Sequence, residues 1–476
     1  MRYKELQAPV KASLWFLVCG FLQKGISLLT TPIFTRIMTD AEYGRFTVYN
    51  SWLGIIQIVA SLNLAAGVYT NGLVKNDHDQ DRFSSSMLGL NTTCILVWTL
   101  VYALFHRIIN NLLGLSTALL VAMLVETWAH SAYQFWSNRE RVHYRYKKLV
   151  LLTVSYVVLR PLLGVLLVLQ ADPSHQVEAR VFATVGVNVM LFSGLYISIS
   201  RKGKHFFDKK YWLYALKFNI PLLPHYLSQI VLNQSDRLMI NEICGPEKAA
   251  YYSVAYTIAM VLQILNNSIS ATMNPWIYKT IKKGELEKIG PVSYSVLLII
   301  GVMNIVLILA APEILMIMAP ARYEAALWVI PPVAVSVYFM FLYNLFAAFE
   351  YYFEKTHYVA AATMIGAVLN IALNACLIPK FGFIAAGYTT LLCYILYSFG
   401  HYHFMNKICK EYLEGYKVYN TKTIVAIGGG LILFTVMILP FYKTVIIRYV
   451  GLFILGILVI RKRVEIADII KRIIRH

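Results

Sequence analysis

The sequence predicts an all-α polytopic membrane protein of about fourteen transmembrane helices, built as two pseudo-symmetric six-helix lobes with two further helices appended. Three observations carry this prediction. Of 476 residues, 58% are hydrophobic and only 14% charged, with a mean hydropathy of +0.60, far more apolar than soluble domains. Apolar blocks of about 20 residues, enough to cross a bilayer core of roughly 30 Å, follow one another with short polar gaps. The block pattern also repeats along the chain, as repeat-built transporters do.

The expected spans are 10–34, 43–69, 83–105, 112–137, 149–169 and 179–199, then 211–240, 249–273, 290–311, 325–349, 357–378 and 381–404, and lastly 421–441 and 444–460. The first is too long for a signal h-region and lacks a small-residue cleavage site, so it reads as a retained helix. An even number of spans places both termini on one side. The domains expected are residues 1–205 for the first lobe, 206–410 for the second, and 411–476 for helices thirteen and fourteen with a basic cytoplasmic tail. The longest connection, around 406–420, leaves no room for a soluble domain.

The net charge of +19 raises the question of nucleic acid, and its distribution answers it. Alternating sides along the spans puts about 29 of the 43 basic residues on the side of the N-terminus. The clusters there are Arg139, Arg141, Arg145, Lys147 and Lys148; Arg201, Lys202, Lys204, Lys209 and Lys210; Lys279, Lys282 and Lys283; and Arg461, Lys462 and Arg463. Such a bias makes both termini cytoplasmic and the partner anionic membrane lipid, with no nucleic acid. Six scattered cysteines have neither metal nor disulfide spacing and read as core filling. Gly428-Gly429-Gly430 lies in an apolar helix with no following Lys, so no Walker A motif is present and no cofactor is expected.

Between the first two spans, Arg36-Ile-Met-Thr-Asp-Ala-Glu-Tyr-Gly-Arg45 is a polar hinge preceded by Pro32, with Asp40 and Glu42 placed where the dipole of the next helix favours negative charge. A degraded copy runs from Asp236-Arg237 through Gly245-Pro246-Glu247 to Tyr251-Tyr252-Ser253-Val254-Ala255-Tyr256. Between the two, Val48 recurs as Val254 and Gln57-Ile58 as Gln263-Ile264, the same 206-residue offset that lays spans two to six over spans eight to twelve.

These segments, together with Ile378-Pro379-Lys380-Phe381-Gly382-Phe383-Ile384-Ala385-Ala386-Gly387, resemble the Wzx-type polysaccharide biosynthesis flippases. Their superfamily also holds the multidrug (MATE) exporters and the lipid II flippases. The resemblance implies a flippase, not an enzyme, that moves an undecaprenyl-pyrophosphate-linked oligosaccharide for O-antigen, lipopolysaccharide or capsule across the bacterial cytoplasmic membrane. Polymerase and other polysaccharide assembly proteins are the partners it implies.

Ionisable residues at membrane depth mark candidate sites. Lys24 lies 13 residues beyond Lys11, Glu126 12 before Asn138 and Arg160 12 beyond Lys148, each roughly 18–20 Å from the inner boundary at 1.5 Å per residue. Glu126, His130 and Gln134 form one polar stripe. Two readings stand: Glu126 pairs with Arg160 or Lys24 and locks helices, or Lys24 and Arg160 leave a surplus positive charge for a pyrophosphate or acidic sugar while Glu126 or His130 carries a coupling proton. The seventh span is the most polar. Pro221 and Pro224 are expected to bend or break it, and Asn219, His225, Gln229 and Asn233 fall near one face as lumen candidates. Arg237 joins the substrate-binding set and Asp236 the ion-coupling set. The second lobe carries amides in place of charges, so charge recognition is expected in the first lobe and the seventh helix.

A cation-coupled multidrug exporter is the alternative within the superfamily, disfavoured because its cationic cargo calls for acidic lumen residues. A membrane glycosyltransferase or polymerase using Asp40 and Glu42 ranks third, since their loop is only a few residues long and its echo lacks a matching acid pair.

Overall fold

A computed structural model describes residues 8–463; the basic tail expected after residue 463 lies outside the described residues. Every regular element among them is helical. In chain order they are α1 (Ala8–Ile37), α2 (Asp40–Ser61), α3 (Gly67–Lys75), α4 (Gln80–Leu113), α5 (Thr117–Val142), α6 (Lys147–Gln170), α7 (Gln176–Gly203), α8 (Lys209–Asn219) and α9 (Leu223–Cys244). Then come α10 (Pro246–Ala259), α11 (Val261–Lys282), α12 (Ile289–Met318), α13 (Ile330–Tyr352), α14 (Thr356–Phe381), α15 (Ala385–Tyr412), α16 (Thr421–Ile438) and α17 (Val445–Arg461).

Nine helical stretches among the described residues are long and apolar enough to cross a membrane by themselves. Most of the other expected spans carry polar groups, as α5 does at Glu126 and His130, or are short, as α17 is at 17 residues. Helix starts follow the repeat: α2 begins at Asp40 and α10 at Pro246, 206 residues on.

The expected hinge is mostly helix. Pro32 sits inside α1, which runs on to Ile37, and Gly44 lies within α2, so the turn shrinks to Met38 and Thr39. Thr39 N-caps α2 by accepting from the Glu42 backbone N–H at 3.3 Å. Asp40 and Glu42 occupy the first turn of α2, as the dipole argument expects. Glu42 is buried and accepts from the Val177 N–H at 3.0 Å, while Gln176 accepts from the Thr39 N–H and donates to the Ile37 carbonyl. The turn is thereby tied to the start of α7, which makes Glu42 architecture and removes the transferase reading of this acid pair.

The seventh span breaks at its prolines. Helix α8 ends at Asn219, a 3-10 turn covers Ile220–Leu222, and α9 starts at Leu223.

The chain divides into two compact units, one ending at Asn241 and the other beginning at Glu242. In the first, Tyr69 meets Phe135 edge-on at 4.7 Å and Phe83 meets Tyr211 likewise at 5.1 Å, in the core shared by α3, α4, α5 and α8. Asp208 N-caps α8 through the backbone N–H groups of Lys210 and Tyr211 and pairs with Arg82 of α4 at 2.7 Å. Desolvation works against its charge, but these donors and the guanidinium outweigh it and hold Asp208 below the usual carboxylate range. A depressed carboxylate gives stability that is present above its unfolded value, near pH ~4, and is lost as pH falls through the folded one. Asp208→Ala is expected to cost about 1–2 kcal/mol at neutral pH, and Asp208→Asn, which keeps the cap but not the ion pair, less. Melting in detergent checks this; the part of the difference due to the ion pair should vanish on acidification below that carboxylate range.

In the second unit α13 is buried along nearly its whole length, packed on α15, α11, α12 and α10. Beside the buried amides Asn266, Asn304, Asn370 and Asn374, the second unit also buries charged groups that the expectation of amides in place of charges passed over. Glu350 of α13 and His401 of α15 are both fully buried, and Arg448 of α17 is buried against Glu313 of α12. The reason is positional: Glu350 lies one residue past the expected end of its span, and Arg448 in the first turn of the last helix, so both read as boundary residues.

Candidate functional site

Within the first unit, a cavity of about 370 Å³ is lined by Gln23, Ser27, Thr30 and Phe34 of α1, Phe46 of α2, His130 of α5, Tyr156 and Arg160 of α6, and Arg180 and Thr184 of α7, with Ile26, Val157 and Pro161 completing it. The α1 contributors are spaced by four, three and four residues, one face of a helix.

Arg160 is positioned from one side. Its Nε donates to Asn188 Oδ1 at 2.7 Å, its guanidinium lies 4.4 Å from the Tyr156 ring centre, and its Nη2 is buried with no hydrogen-bond partner among the described residues. Asn188 Nδ2 in turn donates to Glu126 Oε1 at 3.4 Å, and Tyr49 donates to Glu126 Oε2 at 3.1 Å. Glu126 thus stands behind the cavity wall and reaches Arg160 through an amide, without a direct ion pair.

Arg180 is held by stacking. Its guanidinium carbon lies 3.5 Å from the centre of Phe34 and 3.6 Å from that of Phe46, with Nη1 on Met38 Sδ at 3.7 Å. His130 Nδ1 is a second buried polar atom without a hydrogen-bond partner among the described residues. A planar guanidinium with unspent N–H groups in a low-dielectric recess is suited to phosphate or carboxylate oxygens. The volume is at the small end of ligand pockets, room for a diphosphate or a single sugar-sized group.

The sequence-derived candidates separate on this geometry. Arg160 and His130 line the cavity. Lys24 is exposed on the neighbouring face of α1, out of register with Gln23 and Ser27. Asn219 is fully buried and donates to the Leu62 carbonyl at 2.6 Å; the 3-10 break detaches it from the face of α9, so it ties α8 to the end of α2 instead of lining a lumen. His225 is half-buried, Gln229 exposed, and Asn233 donates back to the Gln229 carbonyl. Arg237 donates to the Asn233 carbonyl and to Gln234, which also accepts from Ser51 of α2; Asp236 is buried. Arg180 is missing from the sequence-derived set because the expected span began at residue 179, whereas α7 begins at Gln176 and carries Arg180 a turn inward.

The comparisons with known proteins agree with this architecture. The model of the family described as "Polysaccharide biosynthesis protein" matches residues 10–281, and the MatE model matches residues 221–376. A Haloferax volcanii protein described as a probable low-salt glycan biosynthesis flippase, Agl15, is 21% identical over 405 residues, 83% of each chain. The succinoglycan biosynthesis transport protein ExoT of Rhizobium meliloti is 24% identical over 257 residues, 53% of this chain and 50% of that one. The fold matches the lipid II flippase MurJ in an inward closed conformation, with a TM-score of 0.70 and 13% identity over 95% of this chain and all of that one. It also matches a Pyrococcus furiosus MOP superfamily transporter described as having a binding pocket of reverse polarity, with a TM-score of 0.56 and 11% identity over 84% of this chain and 95% of that one. With the family model covering more than half its length, the chain belongs to the polysaccharide biosynthesis protein family, and its multi-pass helical fold is the one that the MATE and lipid II transporters share.

Proposed function

We propose that the protein is a flippase that carries a polyprenyl-pyrophosphate-linked oligosaccharide from the inner to the outer leaflet by alternating access, with Arg160 and Arg180 holding the anionic group beside the lipid. The observation that carries this is the pair of guanidiniums on one small cavity, Arg160 with an unpartnered buried N–H group and Arg180 clamped between two rings. Glu126 acts through Asn188 to fix the direction of Arg160. The cavity is too small for a repeat unit, so recognition falls on the diphosphate or on one acidic sugar, and the rest of the glycan is tolerated. Undecaprenyl as the lipid, O-antigen or capsule as the product, a bacterial inner membrane with both termini cytoplasmic, and fourteen spans in two lobes ending near residues 205 and 410 complete the reading, supported by the charge bias, the repeat and the family membership.

The MatE match keeps a cation-coupled drug exporter as the second reading; two arginines in the cavity disfavour cationic cargo. Reconstitution separates the two. Purified protein in phosphatidylethanolamine–phosphatidylglycerol liposomes should expose a fluorescent undecaprenyl-pyrophosphate disaccharide to an external glycosidase. Failure to do so, with accumulation of a cationic dye instead, selects the exporter.

A further inference from the structure

Glu350 and His401 form a joint in the second unit that the substrate cavity does not use. Glu350 sits in the last turn of α13 and His401 in the middle of α15. Their side chains are both 0% exposed, and His401 Nδ1 lies 2.7 Å from Glu350 Oε1. The far atoms, Glu350 Oε2 and His401 Nε2, are buried and have no hydrogen-bond partner among the described residues. Tyr343 stacks on the imidazole at 5.3 Å with 24° between the rings, and Tyr397 meets it edge-on at 4.5 Å.

Proton counting gives this arrangement a task. One proton is needed for the Nδ1–Oε1 contact; with it alone the imidazole is neutral, the carboxylate charged and the joint carries one net negative charge in a dry helix interface. A second proton, added at the bare Nε2 lone pair, turns the pair into imidazolium and carboxylate with no net charge. The face of Tyr343 stacked on that ring favours a cation there. The joint therefore has one open position for one proton, and occupancy changes the charge at the contact between α13 and α15, which among the described residues is the most extensively packed helix pair.

The other titratable groups near the joint are Tyr351 on α13 itself, which interacts with Glu350, and Tyr278 of α11 beside it. Tyr397 of α15 shares a hydrogen bond with Thr363 of α14, and Tyr419, between α15 and α16, packs on Phe346 and Phe349. Lys355, in the connection after α13, pairs with Glu411 in the last turn of α15 at 3.4 Å. The Lys355 backbone N–H donates to the Glu350 carbonyl, so α13 ends in a turn that places the joint close to one end of the bundle.

We propose that Glu350 and His401 are the binding site for a coupling proton: the pair loads one proton when α13 and α15 part enough to admit water, and holds it when they close. This rests on the chain being a transporter; of the two readouts below, proton uptake is independent of the substrate and only the export assay depends on the substrate proposed above.

The experiment counts protons on the full chain without substrate. Purified protein in weakly buffered detergent receives acid pulses between about pH 8 and 5, the range over which a histidine ordinarily titrates, and a pH dye reads uptake per chain. His401→Gln and Glu350→Gln should each take up fewer protons than wild type, by up to one per chain. Polysaccharide export in cells carrying them should lose its sensitivity to a protonophore. Either single variant leaves one partner buried alone, so the double variant Glu350→Leu/His401→Phe, which replaces the whole pair by apolar groups, guards against misfolding. Uptake equal to wild type in folded double variant, or protonophore-sensitive export that survives the loss of uptake, overturns the proposal and leaves a structural lock.

Discussion

Replacing Arg160 by Ala is expected to abolish measurable translocation of a pyrophosphate-linked saccharide while the protein inserts and folds. The substitution removes Nη2, a buried donor with no hydrogen-bond partner among the described residues, and with it one Nε bond to Asn188, so the larger loss falls on the ligand rather than on the fold. Truncating one partner of a buried charge pair costs about 2–5 kcal/mol, a fall of roughly 30-fold to several thousand-fold in affinity. Arg160→Lys is expected to recover little, because a single ammonium cannot bond Asn188 and a ligand in the fork geometry that Nε and Nη2 provide. Arg180→Ala should show a loss of similar order, and also strip Phe34 and Phe46 of the guanidinium that both rings pack on. Initial rates in liposomes at equal inserted protein decide this; wild-type rates in both Arg160→Ala and Arg180→Ala would sink the proposed site.

The second large effect is on stability. Arg448 of α17 is almost fully buried; its Nη1 and Nη2 donate to the two Glu313 carboxylate oxygens at 2.6 and 2.8 Å, and Nη1 also to the Leu309 carbonyl at 2.8 Å. The pair is asymmetric, with side-chain exposures of 3% for Arg448 and 33% for Glu313. Glu313→Ala strands a buried guanidinium and is expected to destabilise the second unit by about 3–5 kcal/mol. Arg448→Met leaves a carboxylate that reaches solvent and keeps the Tyr449 hydroxyl at 3.2 Å, and should cost clearly less. Thermal unfolding in detergent checks the order; an equal loss in the two variants would show that exposure does not govern the cost.

What the sequence determined follows from short-range physics. Apolar block length and the lysine and arginine distribution are properties of the chain itself, and they gave the all-helical membrane architecture. The proline break between α8 and α9 was equally local, since Pro221 removes a backbone donor wherever it stands. The start of α2 at Asp40 needed only a cap and a dipole. Depth along a span was legible too, which is why Arg160, Glu126 and His130 were found.

What only the tertiary structure decided is azimuth and partnership. Lys24 and Gln23 are adjacent in sequence at nearly the same depth, yet about 100° of helix rotation puts Gln23 on the cavity and Lys24 outside it. Asn219 has the composition of a lumen residue and instead caps a buried helix end, because the 3-10 turn rotates it off the face of α9. Arg180 and Glu350 escaped because a shift of a few residues in a helix boundary moves a charge from the surface to the interior. Whether a charged side chain is a site or a strut is set by the unpartnered atoms around it, and those come from helices that are distant in sequence.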